Sequence, residues 1–370
     1  MIGSRDRIFI LAPHPDDESL ATGGLIQRAC RIGAAVRVVF ATDGDDNPWP
    51  QRFVERRLTI RKADRARWGR RRRGEALAAL ARLGMPPGCA HFLGLPDRGM
   101  TKLLLEAEEG ALRALASEIE KFCPTLFIAP AGADTHPDHN ALFVLAQLAL
   151  ARARVRANPR QLFYLVHSPR RHGWQRHATL ELTNDEQTGK HEAIECHATQ
   201  LALSRKRFLA YAREKEVFYR PDFARESSGQ YPIFPARPRR GGLELCLRLD
   251  GPPALFAAAK LLIALESLIA GSVRWRLRLP ETTQCVAVED VLTGKTVRQA
   301  VVTIHGRTAR VTLPIARLHP LTQIFAKIER PTCFFDVAGW REIPVPRISE
   351  SSKRPSRVAF SLDKTSRCAL

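Results

Sequence analysis

Ile8-Phe9-Ile10-Leu11-Ala12 runs directly into Pro13-His14-Pro15-Asp16-Asp17-Glu18, and the junction of these two pieces sets the architecture. The apolar run is too short for an ordinary helix and reads as a buried strand. Two prolines end it, so His14, Asp16 and Asp17 occupy a turn just past a strand end. In an open α/β sheet, ligands bind in the crevice outside the carboxyl ends of the strands. One imidazole and two carboxylates at such a place can supply metal ligands plus a carboxylate that takes a proton from bound water. A solvated acidic turn is the plainer reading of the same residues.

A second stretch weighs against that plainer reading. Leu126-Phe127-Ile128-Ala129-Pro130 is another short apolar run ended by proline, and it leads through Ala131-Gly132-Ala133-Asp134 to His136-Pro137-Asp138-His139-Asn140. Residues 141–150 are apolar and helix-forming, so this cluster also lies between a strand end and a helix start. Two His/Asp clusters at equivalent strand ends can converge on one ion.

Between and beyond them the chain alternates. Residues 25–33 read as a short amphipathic helix with a glycine stop, and 35–40 as the next buried strand, which makes a βαβ unit. Helices over 74–83 and 106–122 and strands over 90–93 and 161–166 continue the pattern, with 45–69 as a long loop. Helical spacing returns at 190–200 and is expected to carry on through 205–216. The fold class is therefore α/β: a Rossmann-like, doubly wound, mostly parallel sheet with helices on both faces.

Composition and pattern divide the chain into four segments: an α/β domain over 1–220, a Pro/Gly/Arg-rich linker over 221–242, a smaller β-rich C-terminal domain over 243–348, and a disordered Ser/Arg/Lys-rich tail over 349–370. Within the third segment, 254–270 reads as an apolar helix too short and too charged to span a membrane.

The bulk numbers bound the partners. Hydrophobic residues make up 45% and charged residues 26% of 370, as in a soluble globular protein. A formal net charge of +20 attracts polyanions such as nucleic acid, an anionic membrane face or a phosphorylated glycolipid, although arginine on solvated faces gives the same total. No zinc-finger spacing or RNA-recognition signature is present, so no specific nucleic-acid partner is expected. The cysteines are scattered without paired spacing and read as reduced thiols, and Arg5-Asp6-Arg7 precedes the first strand with no leader-like apolar run. A cytoplasmic protein is the expectation.

Pro13 to Glu18 and His136-Pro137-Asp138-His139 together resemble the PIG-L/LmbE type of zinc-dependent N-acetylglucosaminyl deacetylase. Thr42-Asp43-Gly44, Arg73-Gly74-Glu75-Ala76-Leu77, Phe92-Leu93-Gly94-Leu95-Pro96-Asp97 and the stretch 190–200 support the likeness, which extends over roughly residues 7–220. The resemblance implies Zn²⁺, or another divalent transition metal such as Fe²⁺, on His14, Asp17 and His139. It implies that Asp16 is the general base, that His136 assists the oxyanion or the leaving amine, and that Asp138 orients a histidine; Asp16 and Asp138 as helix caps are the structural counterparts. Many relatives carry tyrosine where Asp134 stands.

The implied reaction removes acetyl from an N-acetylglucosamine-type sugar in a glycoconjugate. The basic charge adds a lipopolysaccharide or other envelope glycolipid precursor as substrate, with peripheral contact to an anionic membrane surface. The alternatives are a soluble glycoside, thiol precursor or antibiotic intermediate, or a non-catalytic arginine-rich binder of lipid or nucleic acid.

Overall fold

A computed structural model of the chain describes residues 2–167, 174–221, 233–235, 242–248, 259–330, 334–336 and 338–345. The chain divides into two compact units, Met1–Tyr231 with Thr332–Arg341, and Pro232–Pro331 with Glu342–Leu370. The first unit is thus discontinuous: a short piece after residue 331 returns to it. The linker expected over 221–242 lies mostly, and the tail over 349–370 wholly, outside the described residues.

In the first unit β1 (Arg7–Ala12) is central. It pairs in parallel with β2 (Ala35–Thr42) on one side and β4 (Leu126–Pro130) on the other, so that Ile8 lies opposite both Val36 and Leu126. Parallel β3 (Ala90–Leu95) and β5 (Arg160–Tyr164) extend the sheet, and β7 (Lys215–Pro221), antiparallel to β5, and β6 (Trp174–Glu181), antiparallel to β7, finish it, in the order β3-β2-β1-β4-β5-β7-β6. Alternate side chains of β1 explain the layers. Ile8, Ile10 and Ala12 share a core with Leu25, Ile26 and Ala29 of α1 (Asp17–Arg31) and with Ala76 and Leu80 of α3 (Lys62–Arg82). Phe9 points the other way, stacked on Phe127 at 5.3 Å and tilted against Phe122 of α5 (Glu108–Phe122) at 6.1 Å. A strand covered on both faces is apolar throughout, which is why its sequence reads as an unbroken run.

Several elements differ from the expectation. Helix α1 starts at Asp17 rather than 25, because Gly23-Gly24 is a contact surface and not a break. A Cβ on Gly23 would lie 3.1 Å from Lys190 Cγ, and one on Gly24 would overlap Leu182. The 45–69 segment holds α2 (Pro48–Glu55) and the first turns of α3, and 106–122 divides into α4 (Met100–Glu106) and α5. Helix α7 (Asn184–Glu195) ends before His197, and α8 (Ala198–Leu209) stops where a helix through 216 was expected. Residues 215–221 instead form β7, because pairing with β6 overrides the local charge pattern.

Three of the four arginines at 70–73 meet partners in the fold. Arg71 faces Glu75 at 3.4 Å, Arg72 is buried, and Arg73 holds Asp43 through two 2.7 Å contacts. Arg73 thus pairs with Asp43, and Lys190 pairs with Glu216 at 2.7 Å.

The second unit is an antiparallel sheet that runs β15 (Leu321–Glu329), β10 (Lys260–Ser267), β11 (Gly271–Arg278), β12 (Gln284–Asp290), β13 (Thr296–His305), β14 (Thr308–Leu313), β9 (Leu243–Arg248) and β8 (Ile233–Pro235). Its core includes Leu245, Leu247, Leu261, Ile263, Trp275 and Val311. The helix expected over 254–270 is, in its described part, strand β10, paired along its whole length with β11 and β15. A short apolar run reads alike as buried helix or buried strand, and here the neighbouring strands decide. Among the described residues, no helix is long and apolar enough to cross a membrane.

Candidate functional site

Sheet order reverses between β1 and β4, and both His/Asp clusters hang from the carboxyl ends of those two strands. That is the switch-point crevice of a doubly wound sheet. Asp17 opens α1, and its Oδ2 accepts from the His14 backbone amide at 3.0 Å and faces His14 Nδ1 at 3.2 Å. His139, in the first turn of α6 (Pro137–Arg152), brings Nε2 to 3.3 Å from the same oxygen. His14, Asp17 and His139 thus present ligand atoms within 4.8 Å of one another, all buried.

Each histidine meets a carboxylate on its other ring nitrogen as well. His14 Nε2 lies 3.3 Å from Asp138 Oδ2 and 3.3 Å from Asp97 Oδ1, and His139 Nδ1 lies 3.2 Å from Asp134 Oδ2. Asp138 is itself fixed by the backbone amides of Arg98 at 2.6 Å and Met100 at 3.1 Å. It does not cap α6; His136 does, with Nδ1 accepting from the Asp138 amide at 3.2 Å. That bond places the proton of a neutral His136 ring on Nε2. Asp16 stands at the N-terminus of α1 without capping it, and its Oδ2 accepts from Arg72 Nη2 at 3.1 Å. Arg72, 3% exposed, also donates to Gly44 O at 2.8 Å and Pro15 O at 2.9 Å. Glu18 belongs to the frame: it takes the Asp16 amide at 2.9 Å and faces buried His197 at 3.2 Å.

Charge is distributed unevenly here. Burial, reinforced by the Asp17 charge and opposed by Arg72, raises Asp16 to about 6. Burial works against charge on His139, yet Asp17 and Asp134 outweigh it and lift the ring to about 9. His14 is likewise held well above its ordinary value, burial being overcome by Asp138, Asp17 and Asp97. His136 goes the other way, held well below its ordinary value by burial and by the neighbouring histidines. A divalent ion binds neutral imidazole, so uptake by this set releases protons.

The residues fit such an ion. Both ring nitrogens of His139 are buried at ion-pair distance from carboxylates, yet neither is in hydrogen-bond geometry. A buried nitrogen left that way costs stability unless a better-placed partner satisfies it. Two histidines and a carboxylate form a donor set that leaves a position open for water or substrate.

The ligand set borders a cavity of about 470 Å³ lined on its inner side by His14, Asp16, Asp17, Asp97, His136 and His167. All six residues nominated by the motifs come together here: His14, Asp16, Asp17, His136, Asp138 and His139. The motifs did not single out Arg72, Asp134 as the partner of His139, His167, or the phenylalanines at 334 and 335. His167 follows β5 as His14 follows β1, so the strand-end rule would have found it. Nothing in the sequence marks 334 and 335.

Residues 9–150 match the family described as "PIG-L: GlcNAc-PI de-N-acetylase". That match spans both His/Asp clusters. Over 146 residues it is 34% identical to the 1D-myo-inositol 2-acetamido-2-deoxy-alpha-D-glucopyranoside deacetylase of Mycobacterium avium (strain 104), a match covering 36% of this chain and 47% of that one. The chain spans about half the length of the curated relatives it matches. Among solved structures it is similar to the N,N'-diacetylchitobiose deacetylase of Pyrococcus horikoshii, with TM-score 0.44, 21% identity, and 58% and 84% of the two chains covered. It is also similar to GalB, the 4-carboxy-2-hydroxymuconate hydratase of Pseudomonas putida KT2440, with TM-score 0.46, 22% identity, and 55% and 82% covered.

Proposed function

We propose that the first unit is a metal-dependent hydrolase that removes acetyl from an N-acetylglucosamine-type sugar in a soluble glycoside. The observation that carries this reading is the convergence of His14, Asp17 and His139 from two strand ends, with Asp16 and His136 on the same cavity. The mycobacterial relatives are named for an inositol glycoside of an acetamido sugar, which favours a soluble glycoside over a lipid-linked precursor.

His14, Asp17 and His139 would hold the ion, with zinc the metal the donor set suits and Fe²⁺ the alternative. When bound, such an ion supplies Lewis acidity and makes hydroxide available near neutral pH. The net reaction adds water across the amide: a C–O bond forms at the acetyl carbonyl, the C–N bond breaks, acetate leaves, and a proton reaches the sugar nitrogen. Asp16 takes the proton from water, and Arg72 fixes the carboxylate that does so. His136 offers its Nε2–H to the carbonyl oxygen as charge develops, and lies near enough to His14 and His139 to serve the leaving nitrogen. Asp138 and Asp134 hold the rings of His14 and His139.

Acetate and free amine released in equal amounts from N-acetylglucosamine glycosides, lost with a chelator and restored by a divalent metal, is the expected result. Metal-loaded protein that releases acetate from no such glycoside would refute the reading.

A further inference from the structure

We infer that Phe334 and Phe335 make this site selective for an amino sugar that carries an apolar aglycone, an inference that rests on the deacetylase reading above. Both rings lie in the piece of chain that returns to the first unit, far outside the stretch that matches the PIG-L family. They stand at the chemistry itself: Phe334 packs edge-on against His136 at 5.1 Å and Phe335 at 5.9 Å, and Phe335 also meets His167 at 6.0 Å.

The segment is built to hold them there. The Asp336 amide donates to Thr135 O at 2.8 Å, and Asn140 Nδ2 donates to Asp336 Oδ2 at 2.8 Å, so both ends of the His136 turn are tied to it. Trp340 is buried at 1% exposure, and a Cβ on Gly132 would lie 2.6 Å from Trp340 O. Gly339 adopts φ 66°, where a Cβ would overlap Gly132 O, so the two backbones touch only because both residues are glycine. A well-anchored segment that leaves Phe334 42% and Phe335 48% exposed beside a reactive histidine presents apolar surface toward the cavity.

Further apolar side chains share the outer wall with the polar Asn47, Gln200, Ser204, Arg207 and Tyr211. Trp49 and Pro50 of α2 and Leu203 and Phe208 of α8 line the cavity together with these rings. A polyol placed against these six side chains would give up hydrogen bonds to water and recover few, because the six offer it almost no donors or acceptors. An apolar group would remove both itself and the phenylalanines from water. Arg98, its guanidinium 4.8 Å over Phe334, already covers part of that ring and fixes its setting.

The test compares methyl, benzyl and dodecyl glycosides of N-acetylglucosamine on the full, metal-loaded chain. It is run with wild type, Phe334→Ala/Phe335→Ala, and Phe334→Leu/Phe335→Leu. Wild type is expected to favour benzyl over methyl by tenfold or more in kcat/KM, chiefly through KM. The alanine pair should erase that ratio and the leucine pair retain most of it. A dodecyl preference without a benzyl one assigns the wall to a lipid chain; the reverse assigns it to a compact aglycone. Acetate released with equal kcat/KM from all glycosides, or a preference that survives the alanine pair, overturns this inference and leaves the deacetylase reading standing. Acetate from none refutes the deacetylase reading. Calorimetric binding of benzyl against methyl glucosaminide then still judges the wall, and equal affinities overturn it.

Discussion

Replacing Lys190 with methionine puts the largest structural claim at risk. Lys190 and Glu216 are 1% and 3% exposed, and their charged atoms lie 2.7 Å apart. The Glu216 carboxylate also accepts the amides of Gly24 at 2.8 Å and Leu25 at 2.9 Å in α1, the helix that presents Asp17. At an effective dielectric near 20, two charges this close attract by about 6 kcal/mol, most of which offsets the cost of taking both out of water. Removing only the cation leaves a buried carboxylate supported by two amides alone, and breaking such a pair costs about 3–5 kcal/mol. The folding constant then falls by a factor of about 10²–10³ or somewhat more.

Among the described residues every α-helix belongs to the first unit, so circular dichroism at the helical band during urea unfolding reports on that unit. With a urea slope of about 2–3 kcal/mol/M the midpoint should move down by about 1–2 M. Lys190→Met/Glu216→Gln removes both charges and should cost less than Lys190→Met alone. A single variant within about 1 kcal/mol of wild type, or a double variant that is worse, would refute the reasoning.

Other predictions rest on equally local contacts. Glu186 accepts from Arg28 Nε at 2.9 Å, also pairs with Arg31, and is lowered to about 2 chiefly by Arg28. A depressed folded value means that its stabilisation is complete above the ordinary value of 4.5 and fades as pH falls toward about 2, so the stability gap between wild type and Glu186→Gln should close over that interval. Gly24→Ala should destabilise by about 1–3 kcal/mol through overlap with Leu182, although alanine is the better helix former; a rise in melting temperature would contradict the packing. Asp134→Asn keeps an acceptor for the backbone amides but removes the charge that faces His139, and should weaken divalent-metal affinity about 10–100-fold in a chelator competition.

Much of the fold and site was legible because parallel strands covered on both faces advertise themselves. Ile8 to Ala12 and Leu126 to Ala129 are unbroken apolar runs, and the residues after each run are displayed at the sheet's carboxyl edge. The same logic extends to Asp97 after β3 and His167 after β5, strands that were read from the sequence although the residues at their ends were not nominated for the site. Arg72 was hidden for another reason: four consecutive arginines give no sign of which one the fold buries. Gly23-Gly24 looked like a break because sequence shows a missing side chain but not the Leu182 and Lys190 side chains that need its space. β7 and β10 depended on strand partners distant in sequence, and local pattern carries no information about those. The phenylalanines at 334 and 335 reach His136 through a chain reversal that no motif announces.

Acetate release and metal content measured on the same samples of wild type, Asp16→Asn and His139→Ala test the central claim most directly. Asp16→Asn should retain its metal and lose about 10²–10⁴ in turnover, as the loss of a general base does. His139→Ala should lose both metal and acetate release. A wild type that releases acetate with no metal bound, or variants that match it, would contradict the account.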